Sequence, residues 1–180
     1  MSDTAAERLK EAGLAHFRRG DYQEAQDSFE AAVQAFADQE DKAGQAEMLN
    51  NIGVIQYRQK HYEAAAAVLN EARAAFTELG DGDRQAQAAG NLGDVSAAQG
   101  RYKQAAEYYS EAAQLFARVG EKRKQADVLR AYSLMALRRR QVVSSITLMT
   151  ESLRVRPRRS IGQHLFYLML RFVLRLMAGG

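Results

Sequence analysis

In AEMLNNIGVIQYRQKHYEAAAAVLNEARAAF, residues 46–76, the spacing of apolar residues reveals the architecture. Its large and small apolar residues fall three or four apart, at Leu49 and Ile52 and again at Tyr62, Ala65, Leu69, Ala72 and Phe76. That is the period of an α-helix and not of a strand. Lys60-His61 separates the two runs. The stretch therefore predicts two helices of roughly 16–18 residues joined by a tight break.

The same residue types return at a shift of 40. Gly13, Gly53 and Gly93 align, with Ser133 fourth. Tyr22, Tyr62 and Tyr102 align with Val142, Ala25, Ala65 and Ala105 with Ser145, and Ala32, Ala72 and Ala112 with Ser152. Phe36, Phe76 and Phe116 align with Arg156, and Phe29, Leu69, Tyr109 and Met149 form a large apolar column. A helix-interior glycine costs about 1 kcal/mol against alanine. Three at one spacing imply close helix approach, with Ala25, Ala65 and Ala105 expected as the matching small face. The tyrosine after each break is expected to pack its ring at the turn. Between hairpins, the Gly80-Asp81-Gly82-Asp83 break reads as a turn, with Asp83 expected to cap the next helix.

Composition agrees with a helical array. Of 180 residues 32 are alanine, the best helix former. Apolar residues at 47% and charged residues at 26% suit a folded chain. There is no cysteine, which excludes disulfides, thiolate metal sites and a cysteine nucleophile. The net charge of +3 hides a division. Residues 1–120 hold 12 Lys/Arg against 19 Asp/Glu, a formal −7, while residues 121–180 hold 13 against 3, a formal +10. The N-terminal MSDTAAERLKEAG is polar, without the apolar core of a secretory signal, so a cytoplasmic location is expected.

The unit A-x-x-L-x-N-[IL]-G-x(8)-Y-x-x-A-x(3)-[LFY]-x-x-A resembles the tetratricopeptide repeat, TPR, across about residues 5–156. Its 40-residue length is similar to the TPRs of kinesin light chain-like and Pins-like adaptors, and Gly80 and Gly120 stand where the family has a proline. The resemblance implies an all-α, right-handed superhelical solenoid. It divides the chain into a TPR array over residues 1–156, with units at about 5–40, 44–80, 84–120 and 124–156, and a terminal helix segment over 157–180.

It further implies a concave groove lined by the first helix of each hairpin, and a protein or peptide as the ligand. The groove positions of this sequence are Lys10, Asn50, Asn51, Tyr57, Arg58, Asn91, Asp94, Arg130, Leu134 and Arg138. Asn51 and Asn91 are expected to hold a partner's backbone, since an amide both donates and accepts; a hydrogen bond to a neighbouring repeat, or simple exposure, is the competing reading. Some TPRs clamp a C-terminal carboxylate with two lysines, two asparagines and an arginine; the corresponding residues here are Lys10, Leu14, Asn51, Gln87 and Asn91, of which only Lys10 and Asn51 fit.

The end of the chain departs from the pattern. SLRVRPRRS, residues 152–160, is basic and contains the only proline, so a helix should end near Arg156 and Ser160 should cap another from Ile161. The helix IGQHLFYLMLRFVLRLM, residues 161–177, has a narrow polar stripe of Gln163, Tyr167, Arg171 and Arg175. Leu165, Leu168, Met169, Phe172, Val173 and Leu176 are its expected contact residues. Three occupants are open for that face. One is the last hairpin, with Met169 and Phe172 in register as a cap. The second is another copy of the chain or a protein partner. The third is an anionic membrane surface, which would make the protein a peripheral scaffold. The arginine clusters carry no interleaved aromatic residues, so nucleic acid is not an expected partner.

Catalytic chemistry has no foothold in the sequence. His16, His61 and His164 lack metal-ligand spacing, Asp81-Gly82-Asp83 lacks the later ligands of a calcium loop, and no phosphate-cradling glycine loop precedes a helix. The expectation is a non-enzymatic interaction module without cofactor or metal.

Overall fold

A computed structural model describes residues 4–178. The first three residues of the polar N-terminus, and the last two of the terminal segment, lie outside the described residues. Nine helices and no strand form among those described, in the order α1 (Ala5–Arg19), α2 (Tyr22–Ala37), α3 (Lys42–Arg58), α4 (Tyr62–Glu78), α5 (Gly82–Ala98), α6 (Tyr102–Val119), α7 (Lys122–Arg138), α8 (Val142–Val155) and α9 (Ile161–Ala178). Each packs on the next. Beyond those neighbours, α3 approaches α5 and α5 approaches α7. In a curved stack the inner row is the crowded one, so the odd-numbered helices line the inner face.

One backbone device repeats through the array. Gly20, Glu40, Lys60, Gly80, Gly100, Gly120 and Arg140, every twentieth residue, take positive φ between 56° and 87°. The next amide then closes back on the helix just ended, as in His61 N–H to Gln56 O at 2.8 Å and Asp81 N–H to Phe76 O at 2.9 Å. This left-handed closure satisfies carbonyls that a helix end leaves open. The helix starts are equally local. Asp41 Oδ1 accepts from Gly44 N–H and Asp81 Oδ1 from Arg84 N–H, both at 2.9 Å. The expected cap at Asp83 is thus corrected to Asp81, and α3 and α5 start two residues before the sequence-derived units at 44 and 84. Asp83 lies inside the first turn of α5, where its carboxylate binds Lys124 instead.

The glycine column packs against a different partner from the one expected. A Cβ on Gly13 would lie 2.5 Å from Phe29 Cε1, on Gly53 2.5 Å from Leu69 Cγ, and on Gly93 2.7 Å from Tyr109 Cδ1. The large column of the second helix fills the notch, not Ala25, Ala65 and Ala105. Those alanines are fully buried in clusters that reach the following hairpin, Ala25 with Ile52 and Ile55, Ala65 with Leu92 and Val95, and Ala105 with Met135. The reason is volume: a large side chain fits the missing Cβ within a hairpin, and a small one lets the next hairpin approach. Two of the turn tyrosines pack as expected, Tyr22 against Phe17 at 5.8 Å and Tyr62 against Tyr57 at 6.0 Å between ring centroids, whereas Tyr102 is exposed with the Arg139 guanidinium 4.7 Å from its ring centroid. Where glycine and alanine become serine, hydrogen bonds replace contact. Ser133 Oγ donates to Ser145 O at 2.9 Å and Ser152 Oγ to Ala126 O at 2.7 Å.

The chain leaves α8 at Val155, and Ser160 caps α9 through a reciprocal pair. Gln163 N–H donates to Ser160 Oγ at 3.2 Å, and Ser160 N–H to Gln163 Oε1 at 3.0 Å. The cap register expected at Met169 and Phe172 is not the one adopted. Both are exposed, and Leu170 at 7% exposure is the residue pressed on the array. Pro157 breaks the forty-residue phase before α9 begins, so the helix docks one position out of register.

Candidate functional site

The inner face is built from a few side chains on each odd-numbered helix. Near the helix starts an ion-pair ladder joins the units. Lys10 Nζ meets Glu47 Oε1 at 2.9 Å, Arg84 reaches Glu47 Oε2 at 3.4 Å and Asp81 at 3.0 Å, and Lys124 sits on Asp83 at 2.7 Å. Lys10 is therefore engaged within the array. One turn further in, Asn91 Nδ2 donates to Asn50 Oδ1 at 3.0 Å, joining α3 to α5. Asn91 thus makes the inter-repeat bond that was the competing reading, while its side chain still borders a pocket with Asp94. Asn51 stands apart, lining a small pocket of about 90 Å³ with Leu14, Phe17, Phe29 and Val54.

The centre of the face is Asp94 on α5. It borders three pockets, of about 380, 270 and 80 Å³. The first runs between α5 and α7, with Gly90, Asn91, Tyr109, Lys124 and Asp127. The second holds Tyr57, Ala97, Ala98, Leu134, Met135 and Arg138, an apolar floor with a cationic rim. The third holds Val54, Tyr57 and Arg58. The structure thus brings together Tyr57, Arg58, Asn91, Asp94, Leu134 and Arg138, whereas Arg130 is exposed and borders none of these three pockets.

Asp94 accepts a 2.6 Å hydrogen bond from Tyr109 Oη. Burial pushes its carboxyl above the usual carboxylate range, against the opposing pull of the Tyr109 hydrogen bond and the Arg58 charge. Burial, then the Asp94 charge, pushes the Tyr109 phenol up in turn, so it remains a donor. Tyr132 stacks on the Tyr109 ring with centroids 5.7 Å apart. Tyr109 is the candidate site residue that periodicity concealed, because it occupies the column of Phe29 and Leu69. Two departures in one unit signal it: a hydroxyl appears in that column, and Asp94 takes the position of Leu14, Val54 and Leu134.

The Tetratricopeptide repeat family model matches residues 4–78 and 84–165. The chain belongs to the tetratricopeptide repeat family. That family consists in general of non-enzymatic modules that bind protein or peptide partners. Among curated proteins none matches the sequence. Among solved structures, BtubC (BKLC) from P. vanneervenii is similar at 20% identity and a TM-score of 0.72, over 87% of this chain and 64% of BtubC. This TPR chain therefore spans less than two thirds of BtubC's length. The MamA RS-1 ArsTM double mutant matches at 18% identity and 0.63, over 84% and 75% of the two chains. Pseudomonas aeruginosa pilF matches at 21% and 0.51, over 98% and 88%. At identities this low the structural likeness shows the fold alone. Among the described residues, no helix is long and apolar enough to cross a membrane, and no group of three His, Cys, Asp or Glu is placed to hold a metal ion.

Proposed function

We propose that this TPR protein is a non-enzymatic scaffold that binds an extended partner segment along the inner face of the array. The observation that carries the reading is the convergence of three pockets on Asp94, with Tyr57, Arg58, Asn91, Leu134 and Arg138 around it. Asn51 is the amide there for a partner's backbone, and the pockets take its side chains. The chain runs from a formal −7 over residues 1–120 to +10 over residues 121–180, which favours one orientation of a charged bound segment. The test is a pull-down from the native organism read by quantitative mass spectrometry. Asn51→Ala, and Asn51→Ala with Asn91→Ala, should deplete a defined prey relative to wild type while circular dichroism stays unchanged. A prey set that ignores both variants would sink the groove reading.

A second reading rests on how α9 sits. The helix turns Gln163, Tyr167 and Leu170 toward the protein and leaves an apolar ridge outward, with Leu165, Phe172 and Leu176 each 62% exposed. That is the reverse of a solenoid cap, whose outer face is polar. Leu168 and Met169 extend the ridge, Val173 is half-buried at its edge, and Arg171 and Arg175 flank it. Arginines beside an exposed apolar ridge match anionic headgroups. We infer a peripheral membrane contact through α9, with the groove holding a client. Flotation with vesicles of neutral and of anionic lipid tests it: the full chain should float with the anionic ones, and Leu165→Ser with Phe172→Ser should not. Absence of flotation, with the same pair converting a dimer to a monomer, would replace the membrane by a second copy of the chain.

A further inference from the structure

Gly90 and Gly93 stand three residues apart within α5, and only Gly93 has a packing reason. A Cβ on Gly93 would collide with the Tyr109 ring at 2.7 Å. A Cβ on Gly90 would meet Val128 Cγ2 at 3.6 Å and Ala112 Cβ at 4.0 Å, which is ordinary contact. Glycine within a helix is costly relative to alanine, and nothing in the packing of Gly90 offsets that. Its missing side chain leaves space in the pocket of about 380 Å³ between α5 and α7. The corresponding positions of the other units carry Lys10, Asn50 and Arg130.

The wall of that space is acidic. Asp94 lies one turn beyond Gly90, and Asp127 is on α7. Asp127 accepts from Arg156 Nη2 at 2.7 Å. Lys124 is the one cation among the lining residues, and both Asp83 oxygens hold it, at 2.7 and 2.8 Å. Arg58 borders the small pocket beside Asp94, and Arg138 the apolar one. Asp94 itself forms no ion pair with any described residue; its one hydrogen-bond donor among them is a neutral phenol. The Arg58 charge acts on Asp94 without forming an ion pair, and a partly desolvated carboxylate with no direct ion-pair partner gains from a cation more than an exposed one does.

We propose that this pocket is the specificity subsite for a lysine or arginine side chain of the segment bound in the groove. Gly90 makes the room, the Asp94 carboxylate pairs the cation, and the Tyr109 hydroxyl holds that carboxylate in place. The assignment rests on the groove reading above and narrows the partner to one carrying a basic residue at this point.

The probes are Nα-acetyl-arginine methylamide and Nα-acetyl-lysine methylamide, with Nα-acetyl-citrulline methylamide as neutral isostere, titrated into the ¹⁵N-labelled full chain. Both cationic probes should shift the Gly90, Asn91, Asp94 and Val128 amides saturably, and citrulline should bind about tenfold more weakly or worse. Asp94→Asn, which keeps the acceptor for Tyr109, should bring the arginine probe down to the citrulline level. Gly90→Leu should block all three probes while circular dichroism stays that of wild type. Equal binding of citrulline, indifference to Asp94→Asn, or shifts confined to other residues would overturn the subsite. Asn51 lines a separate pocket, so Asn51→Ala leaves the probes unaffected. A prey lost in Asn51→Ala while the probes fail removes the subsite alone; probes that bind while the prey ignores Asn51→Ala remove the groove reading alone.

Discussion

Tyr109 on α6 donates its phenolic hydrogen to Asp94 on α5 across 2.6 Å, tying the second helix of the third hairpin to the centre of the inner face. The pair sets a pH dependence with a definite sign. Burial raises the Asp94 carboxyl above its usual 3.8, so the unfolded chain releases that proton first. Stability therefore falls as pH rises from 3.8 through the raised folded value, and the penalty persists at neutral pH. The groups facing Asp94 are Tyr109, whose hydrogen bond opposes this, Arg58, whose charge does too, and Tyr57, whose phenol is pushed up by burial and then by the Asp94 charge. Asp94→Asn should melt higher than wild type at neutral pH, and the gap should close below pH 3.8. Tyr109→Phe removes the main opposing contact, so Asp94 should titrate higher still when followed by carboxyl NMR.

Two glycine-to-alanine changes should act in opposite directions. Gly53→Ala drives a methyl to 2.5 Å from Leu69 Cγ, at the branch of a buried side chain. Overpacking of that kind costs about 1–3 kcal/mol. Gly90→Ala meets no contact under 3.6 Å and should stabilise the chain by ~0.5–1 kcal/mol through helix propensity. Urea denaturation of the two variants separates a glycine kept for packing from one kept for space.

The left-handed turns offer a third prediction. Glu40, Lys60 and Arg140 hold φ of 56°, 66° and 59°, where a Cβ is unfavourable. Replacing any one by glycine should raise stability by about 1 kcal/mol, as glycine at Gly20, Gly80, Gly100 and Gly120 does already. Gly20→Ala should lose a similar amount, although nothing stands within 4 Å of its Cβ position. Thermal melts of Lys60→Gly and Gly20→Ala test both directions.

The inner ladder should respond to salt. Glu47 bridges Lys10 and Arg84, at 2.9 and 3.4 Å. Partly exposed pairs contribute about 0.2–1 kcal/mol, more when shared in a network. Glu47→Gln should lower stability by roughly 1 kcal/mol in dilute buffer, and the deficit should shrink at about 1 M salt. A deficit independent of salt would assign Glu47 a packing role instead.

The helices, their order and the forty-residue repeat were legible because each rests on local chemistry: apolar period, glycine and asparagine placement, and the breaks between runs. Ser160 was legible as a cap for the same reason, a hydroxyl three residues before a glutamine that answers it. The Asp81 cap was misread as Asp83 because both aspartates flank one glycine, and only the backbone path selects between them. The candidate site residues were legible as positions on the first helices, but their engagements were not. Lys10 and Asn91 satisfy the neighbouring repeats, and a single sequence does not say which polar atoms the fold itself consumes.

Composition and period act within a few turns of chain, and they suffice for an all-helical TPR array with an acidic body, a basic end and an apolar last helix. Which columns meet is settled by packing between helices. It set Phe29, Leu69 and Tyr109 into the glycine notches, put Asp94 at the meeting point of three pockets, and turned the apolar ridge of α9 outward. Those outcomes depend on volumes and distances between helices far apart in sequence, and a periodic pattern fixes neither.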